Sequence, residues 1–458
     1  MPNITDRLSH AIATTRLADF SPEAVDVAVD LFFDTAGCML AGIQESGAKM
    51  VEAFAAEQGT GPVTVVGGKR TNSPYQAALV NGTSAAILDY DDSTWRLIGH
   101  PSGCVVPAVM ALGEHLDVSG AKALEAYMVG YEAIGNIAKG TAPSLYMTGR
   151  HTTGAVGVLG AAAACARMLD LPQDKVAMTL GIASSCSGAL RAGHGTMTKG
   201  LHSGNAAAQG LMSALLAARG FTAQPDIFDH KYGFLNASIK PLPGYTTDQV
   251  AVGWGDPWEF LHPTEGPGIK LIPSGTTSFC AGECAMFIRK EHSYEPRDIE
   301  SVLWQTTPLA IDIAMYGVPG DRNQAFYSIP WAIAAGLAEG RVGLRQFDED
   351  KISDPLLRHL CAMVKIELHP DMKDAASPDH VGGELTVTLK DGRVLKHLRR
   401  RPRMYPGGEP RNREQLVEKF TENGLRSLGR SAVDRAIDSL HAIRQAPSLK
   451  QLMASLRA

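Results

Sequence analysis

Lys199 and His202 lie three residues apart in a stretch, 184–220, that is otherwise rich in Gly, Ser, Thr, Ala, Leu and Met. The second half of this stretch is an uninterrupted Ala/Leu/Met pattern, which predicts a long helix beginning near Lys199. Residues three apart on a helix share a face. A cation at a helix start, beside unpaired backbone N–H groups and the positive end of the dipole, makes a seat for an anionic group. His194 precedes the pair in the same glycine-rich run. The segment Gly149-Arg150-His151-Thr152-Thr153-Gly154 repeats the arrangement in miniature: a glycine break carrying Arg and His, then an apolar helix over 155–168. Two more polar groups fall at element junctions. Asp89-Tyr90-Asp91-Asp92-Ser93 follows an Ala-rich helical pattern, and His100 sits in Gly99-His100-Pro101-Ser102-Gly103.

A pocket gathering Asp89, Asp91, Asp92, His100, Arg150, His151, His194, Lys199, His202 and Lys270 would hold two or three carboxylates and carry groups able to move protons. Removing a proton alpha to a carboxylate builds negative charge on that carboxylate, so cations or hydrogen-bond donors must be aimed at it. Imidazole can serve as the base because it titrates near neutrality, and Lys or Tyr can where the surroundings depress their pKa. No HExxH or comparable ligand spacing occurs, and no metal is expected. No GxGxxG follows a strand pattern, and neither GxxxxGK[ST] nor GxSxG is present, which leaves nucleotide binding and serine hydrolysis without support.

The elements that must position these groups are mostly helices. Ser21-Pro22-Glu23 is a helix start with a capping hydroxyl, proline at the first position and an acid in the first turn. Helical patterns follow over 45–57, 75–88, 105–115, 119–139 and 155–168, and another opens at Pro172. After about Gly266 the period changes. Residues 302–307, 363–368 and 384–389 read as extended, and Asp391-Gly392 before 393–396 signals a hairpin. The tail from Arg413 is helical again. The reading is a mostly α protein with an α+β part: an all-helical domain over 1–268 completed by 405–458, and a smaller α+β domain over 269–404 with an antiparallel sheet.

A chain of 458 residues exceeds a single core. With 45% hydrophobic and 20% charged residues and a net charge of -5, the composition is that of a globular protein with no general case for nucleic-acid binding. No signal-peptide pattern and no membrane-length apolar run occurs, so a cytoplasmic protein without a membrane partner is expected. The seven cysteines are scattered and read as free thiols.

Several segments carry a resemblance: LFFDTAGCMLAG (31–42), LDYDDS with the following HPSG (88–103), GRHTTGAVG (149–157), MTKGLHSGNAAAQG (197–210), YGFLNAS (232–238) and PGGEPRN (406–412). In this order they resemble the MmgE/PrpD family, which includes 2-methylcitrate dehydratase, cis-aconitate decarboxylase and iminodisuccinate epimerase. The resemblance implies a large helical domain with a smaller α/β domain inserted, a homodimer, and a cofactor-independent pocket between the domains. It implies Asp89, His100, His151, Lys199 and Tyr316 as catalytic groups, and Ser93 and Lys270 as substrate-binding groups; Arg150 and His202, read from their own places beside His151 and Lys199, are further substrate-binding candidates. Lys270 lies in Ile269-Lys270-Leu271-Ile272-Pro273, similar to the family's IKxYP segment, and Tyr316 is similar to a tyrosine of the decarboxylase branch. One departure stands out: where the family carries a histidine five or nine residues after that lysine, this chain has Gly275 and Phe279. The implied activity is a cofactor-free lyase, dehydratase-like, on a small di- or tricarboxylic acid. The alternatives are an epimerase of a dicarboxylate such as iminodisuccinate, a cis-aconitate-type decarboxylase, and a non-enzymatic metabolite-binding protein.

Overall fold

The structure is a computed structural model that describes residues 2–242, 246–373 and 381–458. It divides into two compact units, one comprising Met1–Gly193, Met197–Pro267 and Asn412–Ala458, the other His194–Thr196 and Gly268–Arg411. Among the described residues, no helix is long and apolar enough to cross a membrane.

The first unit is built from helices whose starts are written locally. Ser21, Ser73 and Ser119 each accept a backbone N–H in the first turn of the helices Pro22–Gly42, Pro74–Ala86 and Gly120–Ala138. Such a cap satisfies a donor that the helix itself leaves unpaired. The helix Thr198–Ala218 then packs closely on Pro74–Ala86. A Cβ on Gly82 would stand 2.8 Å from the Gly204 Cα, and one on Gly204 only 2.3 Å from the Leu79 carbonyl oxygen. Neither position tolerates a side chain, and their absence lets the two backbones meet. Helix Thr152–Met168 packs on the other side of Thr198–Ala218, through Gly210 against Ala161 and Ala162. The end of one helix and the starts of two others, each carrying polar residues noted in the sequence, are thereby brought together.

The C-terminal helices Arg413–Gly424 and Arg430–His441 belong to this unit. Phe420 stacks on Phe33 with ring centroids 4.2 Å apart. The buried Lys419 Nζ lies 2.7 Å from Asp34 Oδ1, donates to the Tyr90 carbonyl at 2.8 Å, and stands 4.0 Å from the Tyr90 ring centroid.

The second unit carries a four-stranded sheet of β1 (Ile299–Thr306), β2 (Val364–Leu368), β3 (Gly383–Leu389) and β4 (Val394–Arg399), in the order β2-β1-β3-β4. Leu385, Val387 and Leu389 alternate inward along β3, as a half-buried strand requires. The Asp391-Gly392 turn joins β3 to β4 as an antiparallel hairpin, with Gly392 at φ 86°. The antiparallel pairing expected from the sequence holds for β1 with β3 and β3 with β4, and the sheet is mixed because β2 runs parallel to β1. The reason is the connection. Between β1 and β2 the chain passes through several helices, including Ile329–Glu339 and Pro355–Met363, which is the crossover that a parallel pair needs.

Candidate active site

Asp89 follows the helix Pro74–Ala86 in a left-handed conformation, φ 48°, which Asp tolerates better than most residues. Its Oδ1 is 2.9 Å from Lys199 Nζ and 3.3 Å from His100 Nε2. Lys199 Nζ in turn lies 3.4 Å from His100 Nε2. Lys199 is only 4% exposed, so it is not a solvated lysine at a helix start but an ammonium held inside the unit by a carboxylate. His100 is gripped on its other edge, with Nδ1 2.9 Å from the Asp92 carbonyl and 3.4 Å from Asp91 Oδ1. The loop that carries it is tied to the start of helix Thr152–Met168. Thr152 Oγ1 donates to the Ile98 carbonyl at 2.7 Å, and Thr153 Oγ1 accepts from the His100 N–H at 3.1 Å. The paired threonines of the 149–154 motif are thus the fasteners of the His100 loop.

His151 sits at the N-cap position of that helix and His202 in the second turn of Thr198–Ala218. Their Nδ1 atoms are 2.9 Å apart, and the His151 ring lies 6.5 Å, centroid to centroid, from that of His100. Burial, and next to it the Lys199 charge, lower the His202 pKa to about 4. Ser93 is buried, and Arg150 is half-buried with its backbone bridged to Leu190.

Of the residues expected at the site, Asp89, Ser93, His100, Arg150, His151, Lys199 and His202 lie in the first unit. Lys270, Tyr316 and His194 lie in the second. Lys270 is fully buried, donates to the Ser274 carbonyl at 3.1 Å and faces the Phe279 ring at 5.5 Å. The Tyr316 hydroxyl donates to the His194 carbonyl at 3.4 Å, and the His194 ring stacks on Tyr327 at 5.5 Å. Despite its nearness in sequence to Lys199, His194 is thus part of the other unit. Phe279 is buried, and a Cβ on Gly275 would meet nothing closer than 3.5 Å, so the missing imidazole at 275 is not a matter of space next to the backbone.

Asp89, Asp91 and His100 present ligand atoms within 4.8 Å of one another, the spacing of a possible metal site. Two features argue against one. The cation beside Asp89 is the Lys199 ammonium, and the two carboxylates face opposite nitrogens of a single imidazole, Asp89 at Nε2 and Asp91 at Nδ1.

Asp92, one of the acidic groups expected in the pocket, is fully buried. It accepts from the Ser102 N–H at 3.1 Å and from the Tyr131 hydroxyl at 3.5 Å. Its pKa is raised to about 8, first by burial and then by the Asp91 charge. The folded state therefore holds this proton more tightly than the unfolded chain, whose Asp titrates at about 3.9. The resulting stabilisation is complete below that value and is lost as pH rises towards the folded pKa. Asp92→Asn keeps the acceptor for Ser102 and abolishes this titration. We expect the variant to lose less stability than the parent between about pH 5 and about pH 8, by on the order of a few kcal/mol, in denaturant melts. Equal losses in the two proteins would overturn the assignment.

Arg96, Glu132 and Glu259 were missed by the sequence reading. Glu259 pairs with Arg96 Nε at 3.2 Å and Lys139 Nζ at 3.4 Å, while Glu132 accepts from the Glu259 and Gly255 N–H groups at 2.9 and 3.2 Å. Arg96 lies on the loop between Ser93 and His100, so this network braces that loop from behind. Its members are up to 163 residues apart, and no local spacing announces them.

The MmgE/PrpD N-terminal domain matches residues 6–243, and the MmgE/PrpD C-terminal domain matches residues 273–444. Cis-aconitate decarboxylase of Homo sapiens is 31% identical over 378 residues, covering 80% of this chain and 75% of that protein. Its Mus musculus counterpart is 30% identical over 381 residues, covering 80% and 74%. A cis-aconitate decarboxylase-like protein of Aspergillus oryzae is 24% identical over 487 residues, covering 99% of this chain and 97% of its own length. The matched domains, the helical unit with its smaller mixed-sheet companion, and the relatives agree: this chain belongs to the MmgE/PrpD family.

Proposed function

We propose that the chain is a cofactor-independent lyase of the dehydratase type, acting on a small di- or tricarboxylic acid through a carbanion alpha to a carboxylate. The family relationship supports an enzyme acting on carboxylic acids. The observation that carries the mechanism is the buried row in the first unit, an ammonium shared between Asp89 and His100 beside a second pair of imidazoles. A substrate carboxylate binds against Lys199 and His100. When the alpha proton leaves, the electron pair of the C–H bond delocalises onto that carboxylate, and the ammonium is already in place to stabilise the added charge. His151 handles the proton, a role in which a positioned imidazole contributes roughly 10²–10⁴-fold. In dehydration, the pair then forms the double bond as the beta hydroxyl takes a proton and leaves as water. The roles of Ser93, Lys270 and Tyr316 rest on the family resemblance and that of Arg150 on its place beside His151, while a homodimer, also implied by the resemblance, would be tested by sedimentation.

A second reading, decarboxylation, is favoured by the names of the relatives. There the C–C bond breaks, carbon dioxide departs, and the pair left on the alpha carbon takes a proton.

The test is a panel of 2-methylcitrate, citrate, cis-aconitate, malate, tartrate and iminodisuccinate in heavy water, followed by proton NMR with chelator present. Deuterium entering the alpha position of one acid, with loss of water, supports the dehydratase. Carbon dioxide release selects the decarboxylase, and exchange with inversion alone selects the epimerase. Binding without exchange on any acid would overturn the enzymatic reading in favour of a metabolite-binding protein.

A further inference from the structure

We infer that His202 is a positioning residue that locks the tautomer of His151: its Nδ1 accepts a hydrogen bond from His151 Nδ1–H, so that proton exchange with substrate runs through His151 Nε2. This rests on the reading above, in which His151 exchanges a proton with the substrate.

The two Nδ1 atoms are 2.9 Å apart, with ring centroids at 5.1 Å and the planes inclined by 52°. At that separation only one proton fits between them, and one ring must donate while the other accepts. Both side chains are buried, and both backbones are fixed. His151 N–H donates to the Ala189 carbonyl at 3.3 Å, while His202 lies within the helix Thr198–Ala218.

Consider the two ways of sharing the proton. If His202 donates, His151 Nδ1 must keep its lone pair, and His151 cannot become an imidazolium without setting two N–H groups against each other. If His202 accepts, His151 carries Nδ1–H in both of its protonation states, and only Nε2 changes. The second arrangement alone allows His151 to act first as a base and then as an acid without any ring rotation. For it to persist, His202 must stay neutral while His151 takes up a proton. Its surroundings secure this: burial opposes its charged form, and the Lys199 ammonium, three residues earlier on the same helix, repels a second cation. The His100 ring also lies near His151, at 6.5 Å centroid to centroid. A hydrogen bond at one ring nitrogen that dictates the work of the other is the usual way an imidazole is prepared for proton transfer.

The tautomers can be read without reference to activity. In full-length protein labelled with ¹⁵N-histidine, protonated and unprotonated ring nitrogens resonate apart, and His151→Gln and His202→Asn assign the two rings by loss of signal. We expect His151 as the Nδ1–H form and His202 as the Nε2–H form. His202→Leu removes the acceptor at similar volume. It should mix the His151 tautomers and lower the maximal rate of deuterium incorporation on the reacting acid by on the order of 10–100-fold, with KM little changed. In His202→Asn the amide oxygen replaces Nδ1 as acceptor, which should restore the Nδ1–H form of His151 and recover part of that rate. A His151 ring found in the Nε2–H form beside an Nδ1–H His202 overturns the inference. So does a His202→Leu protein that keeps both the tautomer and the rate. If the tautomers are as stated yet the parent protein exchanges no acid of the panel, the pairing stands and the lyase reading falls.

Discussion

Lys199→Met is expected to lower turnover by roughly 10²–10³-fold, the loss typical of removing one preorganised group that stabilises a developing oxyanion. The ammonium is buried and shared by Asp89 and His100. Arginine is not expected to rescue it, because a planar fork cannot take the place of a compact ammonium between a carboxylate and a ring nitrogen. The substitution has a second consequence. It leaves the Asp89 carboxylate buried without its ammonium, a class of change that costs about 3–5 kcal/mol. Activity and stability must therefore be separated. Asp89→Asn combined with Lys199→Met should recover much of the lost stability while leaving turnover low, as a double-mutant cycle would show. A folded Lys199→Met protein with turnover within about tenfold of the parent would remove Lys199 from the mechanism.

Lys419→Met should be the most damaging change far from that row, costing about 3–5 kcal/mol of stability. Lys419 is buried between Asp34 on one helix and the Tyr90 carbonyl, and its own pKa is pushed upward despite burial, because Asp34 favours its charged form. Removing the ammonium strands the Asp34 carboxylate in the core and frees the backbone between Asp89 and Asp91. Lys419→Met joined to Asp34→Leu should regain most of the loss, since an apolar pair of similar volume avoids both desolvation costs. Chemical denaturation of the single and double variants checks this, and a single variant as stable as the parent would show the pair to be dispensable.

The helix starts were legible because each is a local matter. Ser21 with the following Pro22 caps a helix where the sequence predicted its start, and Ser73 caps the helix of the 75–88 pattern. The Asp391-Gly392 hairpin was legible for the same reason. The direction of β2 was not: residues 364–368 alternate in either orientation, and what decides between them is the length and helicity of the connection from β1. At the site, the helical spacing of Lys199 and His202 could be read directly. Their partners could not. Asp89 reaches Lys199 across 110 positions and His151 reaches His202 across 51, and nothing in either segment names the other. His194 shows the converse, since eight positions from His202 in sequence it nonetheless packs on Tyr327 in the second unit. The glycines flanking His194, Gly193 and Gly195, gave no hint of which way the chain would turn.

The first unit is interrupted at Pro267 and resumes only at Asn412. On a ribosome this imposes an order of events. The segment bearing Asp89, His100, His151 and Lys199 emerges first, but Lys419, which braces the backbone at Tyr90, is made only after the intervening unit. At about 5–20 residues per second, synthesis of the intervening unit takes on the order of ten seconds. For that interval the nascent helices expose the apolar faces of Phe33 and its neighbours, which Phe420 later covers. The backbone beside Asp89 is thus braced only after the segment from Asn412 has emerged, and a nascent chain stalled before Asn412 would be a client for chaperones.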